Sequence, residues 1–153
     1  MDLGSGTGYP SANLSNFSPN PFIIDSVKCN SMEGFLQSLK YSNSEMQIHV
    51  CSLVRKQAKF KGKQKAWYRK QELYWQGKVL KRDSAEYQEL LDRAFKALGE
   101  NQKFRKALLA TGDSTLTHSM GKKKKSETVL TSQEFCSRLT LLRKQFKREL
   151  KKK

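Results

Sequence analysis

Cysteine is scarce in this sequence of 153 residues, which holds only Cys29, Cys51 and Cys136. An odd number cannot close a complete disulfide framework, and their spacing is not that of metal ligands, so a reducing compartment, the cytoplasm, is expected. Long apolar runs are missing too. None approaches the ~20 residues that span a bilayer, and no charged leader with an apolar core opens the chain. The expectation is a protein neither secreted nor embedded, with no membrane partner. Acids are outnumbered, 14 Asp and Glu against 30 Lys and Arg, leaving a net charge of +16. Such an imbalance concentrates anions, whether nucleotides, nucleic acid or acidic surfaces. Much of the charge lies in residues 122–125 and 147–153, where solvated flexibility is the plain explanation. There is no internal repeat.

Hydrophobic residues make up 37% of the chain and include eight Phe, five Tyr and two Trp, enough aromatic bulk for one core at this length. A single domain over residues 13–146 is expected, with a flexible glycine-rich lead over 1–12 and a basic tail over 147–153. The lead's Gly4, Gly6 and Gly8 have no strand before them and no helix after, so they fail the context test for a phosphate loop. From Asn13, turn formers with two Phe lead into a short strand at Ile23 and Ile24.

Helix signals follow. Ser31 can cap a helix carrying Phe35, Leu36 and Leu39. Ser44 with Gln47 reads as a capping box for a second, and Gly62 breaks a Lys/Gln run that reads as a loop or frayed turn. Asp83 or Ser84 opens the clearest helix, through Tyr87, Leu91, Phe95 and Leu98 to Gly99. Asn101 caps a shorter one, and Thr131 with Glu134 forms a capping box before Phe135, Leu139, Leu142 and Phe146. Extended segments near Ile23, Leu116 and Val129 can pair into a small sheet. The class is α+β, predominantly α-helical.

Glu33 falls in the first turn after Ser31, with Gln37 and Lys40 on the same helical face. The helix start and the Lys40 ammonium both favour its ionised form, and the ordinary reading is a glutamate complementing the helix dipole. Trp75 can lay its indole against a base with Lys78 near phosphate oxygens, although a core tryptophan has the same pattern. His118 can donate a proton or contact phosphate, or serve only as a structural hydrogen-bonding residue. No His or Cys grouping makes a metal site, and no cofactor is implied.

Taken in order, several segments are similar to the NADAR family, also called YbiA-like. They are Leu14-Ser15-Asn16-Phe17-Ser18, then Ser31-Met32-Glu33 with Phe35, Gln37 and Lys40, then Tyr74-Trp75 with Gly77-Lys78. Asn101-Gln102-Lys103-Phe104, Ala107-Leu108-Leu109-Ala110-Thr111 and the stretch from Leu116 to Gly121 continue the match. The resemblance implies a YbiA-like domain with a small sheet that hydrolyses N-glycosidic bonds at C1 of a phosphorylated ribose. Its substrates would be early riboflavin-pathway intermediates or ADP-ribose on a base, notably guanine in nucleic acid. It implies Glu33 and Lys40 as catalytic residues. Asn16, Phe17, Ser18, Gln37, Tyr74, Trp75, Lys78, His118 and Gly121 would bind substrate. Gly34 stands where the family often has His, and residues 122–126 replace an acidic Asp-X-X-Trp-Gly element. The other reading is a catalytically degenerate module that binds ADP-ribose or nucleic acid.

Overall fold

The computed structural model describes residues 1–152. Seven helices pack around two antiparallel hairpins: α1 (Ser11–Leu14), β1 (Phe22–Ile24), β2 (Val27–Cys29), α2 (Met32–Ser38), α3 (Ser44–Cys51), α4 (Arg55–Lys63), β3 (Glu72–Trp75), β4 (Lys78–Lys81), α5 (Ala85–Leu98), α6 (Gln102–Ala110) and α7 (Ser132–Lys151). Among the described residues no helix is long and apolar enough to cross a membrane.

Each hairpin turns on two residues with positive φ, Asp25 and Ser26 in the first (47° and 67°), Gln76 and Gly77 in the second (47° and 85°). This is the conformation whose twist matches that of the flanking strands. The expected pairing of Ile23 with the Leu116 and Val129 segments is not formed. β1 pairs with β2 instead, because a two-residue turn closes at far lower entropic cost than a loop of ninety residues. Leu116 and Val129 are buried as core side chains. Asp25 ties the two hairpins to α5: its carboxylate accepts from Trp75 Nε1 (2.8 Å) and Arg93 (2.7 Å).

The caps at Ser31, Asn101 and Thr131 form as expected, and of Asp83 and Ser84 it is Ser84 that caps α5. α3 does not follow its expected cap. Asn43 accepts from Met46 N (2.9 Å), which frees Gln47 to donate to Tyr74 O (2.7 Å) and accept from Gln76 N (3.2 Å). The Lys/Gln run expected as a loop or frayed turn is the helix α4, whose inward positions are the small residues Ala58 and Gly62.

The lead is packed rather than free. Leu3 is 1% exposed and its N–H donates to Thr117 O (2.8 Å). The basic tail continues α7 to Lys151, with Arg105 paired to Glu149 (3.0 Å) and stacked on Phe146 (4.1 Å). Lys153 lies outside the described residues. One ion pair is deeply buried: the Arg82 guanidinium grips Glu134 through two bonds (2.6 and 3.1 Å) and donates to Thr128 O (2.8 Å). Glu134 also accepts from Gln88 and from Thr131 N, its capping-box partner. Burial pushes Glu134 up, but these donors outweigh it and hold the carboxyl at about 2.

Candidate active site

Glu33 is placed by the start of α2. Ser31 Oγ accepts from Gly34 N (3.0 Å) and donates to Leu53 O (3.1 Å), while Glu33 N donates to Asn16 O (3.0 Å). The helix start is thereby fixed to the loop of residues 15–18 on one side and to the end of α3 on the other. One turn later Gln37 Nε2 donates to Glu33 Oε1 (2.8 Å).

Glu33 is only 9% exposed. Burial pushes its pKa above the usual carboxylate value; the Gln37 bond and the charges of Lys40 and Lys59 oppose that shift without overcoming it. The expectation that helix start and ammonium keep Glu33 readily ionised is therefore corrected: desolvation is the larger effect. Lys40 shows the complementary shift. Burial pushes it down to about 8, Glu33 offsets part of this, and Lys122 adds to it. Glu33 and Lys40 thus act on each other electrostatically in a partly dry setting, where burial moves the two pKa values toward each other.

Two further contributors come from α4, and residue spacing gave no sign of them. Lys59 Nζ lies 5.9 Å from the centre of the Phe17 ring, joining α4 to the 15–18 loop beside Glu33. Gly62 meets α2 so closely that a Cβ there would sit 1.6 Å from Gln37 Oε1. Only a glycine leaves Gln37 in place. Gly62→Ala is therefore expected to displace the Gln37 amide while keeping the fold, since alanine favours the helix by about 1 kcal/mol. Without the Gln37 bond, the Glu33 pKa should rise further. A carboxyl-carbon NMR titration checks this, and an unmoved Glu33 midpoint would show that the bond survives.

The buried Oδ1 of Asn16 and Oε1 of Gln37 have no hydrogen-bond partner. Unsatisfied buried acceptors are costly, and two of them lie on residues hydrogen-bonded to Glu33, with Gln37 Oε1 turned toward Gly62.

The other expected site residues are not gathered here. Trp75 is a core residue, 5% exposed, edge-on to Phe35 at 5.2 Å with its N–H engaged by Asp25; its indole is not a stacking surface. Tyr74 is half-buried and serves through its backbone, its N–H donating to Leu39 O (2.8 Å). Lys78 is exposed at the second hairpin turn, where its charge acts on Asp25. His118 Nδ1 bonds Leu3 O (2.7 Å) and its ring packs edge-on to Phe135, a structural role. Gly121 is a close-approach position, for a Cβ there would meet Ser132 Oγ at 2.3 Å. Ser18 is half-buried in the loop, its N–H donating to Ser15 O (2.9 Å).

Gly34 also has a steric reason: a Cβ would lie 2.6 Å from Leu53 O and 2.9 Å from Val50 O, so the end of α3 fills the space of any side chain. The segment in place of the acidic element is anchored where Ser132 N donates to Lys122 O (3.0 Å), and it turns a cation toward Lys40. One surface hollow, about 290 Å³, is lined by Val27, Asn30, Ile48 and Ser52 among others and contains none of these groups.

Comparison with known proteins agrees on the fold. Among solved structures, E. coli YbiA superposes with a TM-score of 0.63, covering 97% of this chain and 85% of that one at 16% identity, so this α+β, mainly helical chain has a YbiA-like fold. In sequence it is 36% identical over 148 residues to an uncharacterized 17.1 kDa protein in the Gp30-rIII intergenic region of enterobacteria phage T4. That match covers 94% of this chain and 96% of the phage protein. Residues 8–144 match the family described as bacteriophage protein GP30.3. The chain therefore belongs to the bacteriophage protein GP30.3 family.

Proposed function

We propose that the protein is an N-glycosidase that hydrolyses the bond between C1 of a phosphorylated ribose and the nitrogen of a base or amine. ADP-ribose on a nucleobase such as guanine, or a phosphoribosyl riboflavin-pathway intermediate, is the substrate class. The observation that carries the reading is Glu33, a buried carboxylate oriented by Gln37 and set between the charges of Lys40 and Lys59. The free thiols of Cys29, Cys51 and Cys136 accord with work in the cytoplasm.

As the C1–N bond lengthens, positive charge develops on C1 and the ring oxygen. The ionised Glu33 stabilises that charge and orients a water for attack at C1, accepting one of its protons. The bonding pair leaves with the nitrogen, which takes up a proton, giving free base and a ribose with a C1 hydroxyl. Lys40 and Lys59 hold phosphate oxygens, and the unpaired acceptor of Asn16 takes a ribose hydroxyl.

This assignment fixes a pH profile. Turnover requires Glu33 ionised and Lys40 protonated, so kcat/KM should rise with pH through a midpoint above 4.5 and fall through a midpoint near 8. Lys40→Gln should remove the alkaline limb. A limb near 8 that persists in that variant would remove Lys40 from the mechanism.

A second reading, a binding module without turnover, is favoured by the lack of side-chain space at Gly34. It predicts ADP-ribose binding with no product released.

A further inference from the structure

The acid-free basic stretch lies on the element packed against Glu33's helix. Between Arg55 and Lys70 the sequence carries eight Lys and Arg and no Asp or Glu. In the fold this stretch is α4 and the turn after it, and α4 meets α2 through Ala58 and Gly62, directing its other faces outward. Two large rings stand in solvent among these cations. Phe60 is 62% exposed, with Lys63 Nζ 5.8 Å from its centre, and Tyr68 is 55% exposed. A second basic segment lies alongside, because the Gln71 side-chain amide donates both to Tyr68 O and to Ser126 O (2.9 Å each), just beyond the four lysines of residues 122–125. The acids bordering this face are Asp83, which pairs loosely with Lys125 (3.7 Å), Glu127, and Glu72, which pairs with Lys81 (2.8 Å) and feels the charge of Lys70.

From this arrangement we infer that the α4 face, continued by residues 68–70 and 122–125, binds single-stranded nucleic acid without sequence preference. The lysines complement phosphates, and Phe60 and Tyr68 offer exposed rings on which unpaired bases stack. A duplex has no unstacked base to place there, so the exposed rings favour the single strand. The surface stands on charge and exposure alone and does not depend on the chemistry at Glu33.

The test is fluorescence anisotropy of the whole protein with a labelled oligothymidine of about twelve nucleotides and with a duplex of the same length, over a salt series. The single strand should bind at least about tenfold more tightly than the duplex, with affinity falling steeply as salt rises. Phe60→Ala with Tyr68→Ala should weaken it by about tenfold or more, leaving turnover of a small N-ribosyl phosphate unchanged. Lys151→Ser with Lys152→Ser, in the tail, should leave oligonucleotide affinity alone. Equal affinity for the duplex, or loss only with the tail variant, or no binding at low salt, would overturn the inference. Failure of the N-glycosidase reading would appear separately, as absence of product.

Discussion

Glu33→Gln is expected to lower kcat by about 10²- to 10⁴-fold while the protein folds and becomes more stable. In the proposed mechanism the activity loss follows from removing the negative charge that would face C1 and the base that would take the water's proton. The stability gain follows from burial. Glu33 has its pKa raised in the folded state, so the stability linked to its protonation is full below about 4.5 and is lost as pH rises through the folded midpoint. At neutral pH, above the unfolded value, this buried carboxyl is therefore held at a net cost, and an isosteric amide relieves it. A gain of about 1 kcal/mol corresponds to about 2–4 °C in Tm for a chain of this size. Such opposition between stability and activity is the usual mark of a functional group held in place by its surroundings. Thermal melts at pH 7 and at pH 4 check it: the gain should be present at pH 7 and shrink at pH 4.

The Arg82–Glu134 pair behaves in the opposite way. Removing one partner leaves the other charge buried and unpaired, and Arg82→Met should cost about 3–5 kcal/mol, read as a fall in the urea midpoint. Glu134 has a depressed pKa, so its contribution is present above 4.5 and is lost as pH falls through about 2. Arg82→Met should flatten that part of the acid unfolding curve. Replacing both partners, Arg82→Met with Glu134→Leu, should recover much of the lost stability, because no buried charge then remains unpaired. The pair joins the end of the second hairpin to α7, and its failure would loosen the element against which α5 packs.

The parts of this fold legible in the sequence are those decided by bonds within a few residues. Ser84, Asn101 and Thr131 each cap a helix through an amide three positions on, and an apolar stripe follows each. Where a distant group competes, local signals mislead. Gln47 looks like a capping-box partner but is claimed by β3 and the second hairpin turn, which moves the cap to Asn43. α4 carries no apolar stripe at all, since its contact with α2 is made by Ala58 and Gly62, and close packing of small residues leaves no hydrophobic periodicity to read.

The candidate site divides the same way. Glu33, Gln37 and Lys40 are visible as one helical face, but Lys59 and Gly62 reach them from another helix, and Trp75 is claimed by the core and by Asp25. The direction of the Glu33 pKa shift was hidden as well. Sequence shows the helix start and the lysine; only the fold shows how dry the carboxylate is.

The central claim is that Glu33 breaks an N-riboside, and the most direct measurement is chromatographic separation of products. The protein is incubated with ADP-ribosylated guanine in DNA and, in parallel, with a pyrimidine ribosyl phosphate, each alongside Glu33→Gln. The account predicts release of the free base, or of the unmodified DNA, together with a ribose phosphate or ADP-ribose from at least one substrate, and loss of that release in Glu33→Gln. Equal product from the folded variant and the wild type, or none from either substrate while ADP-ribose still binds, would contradict it.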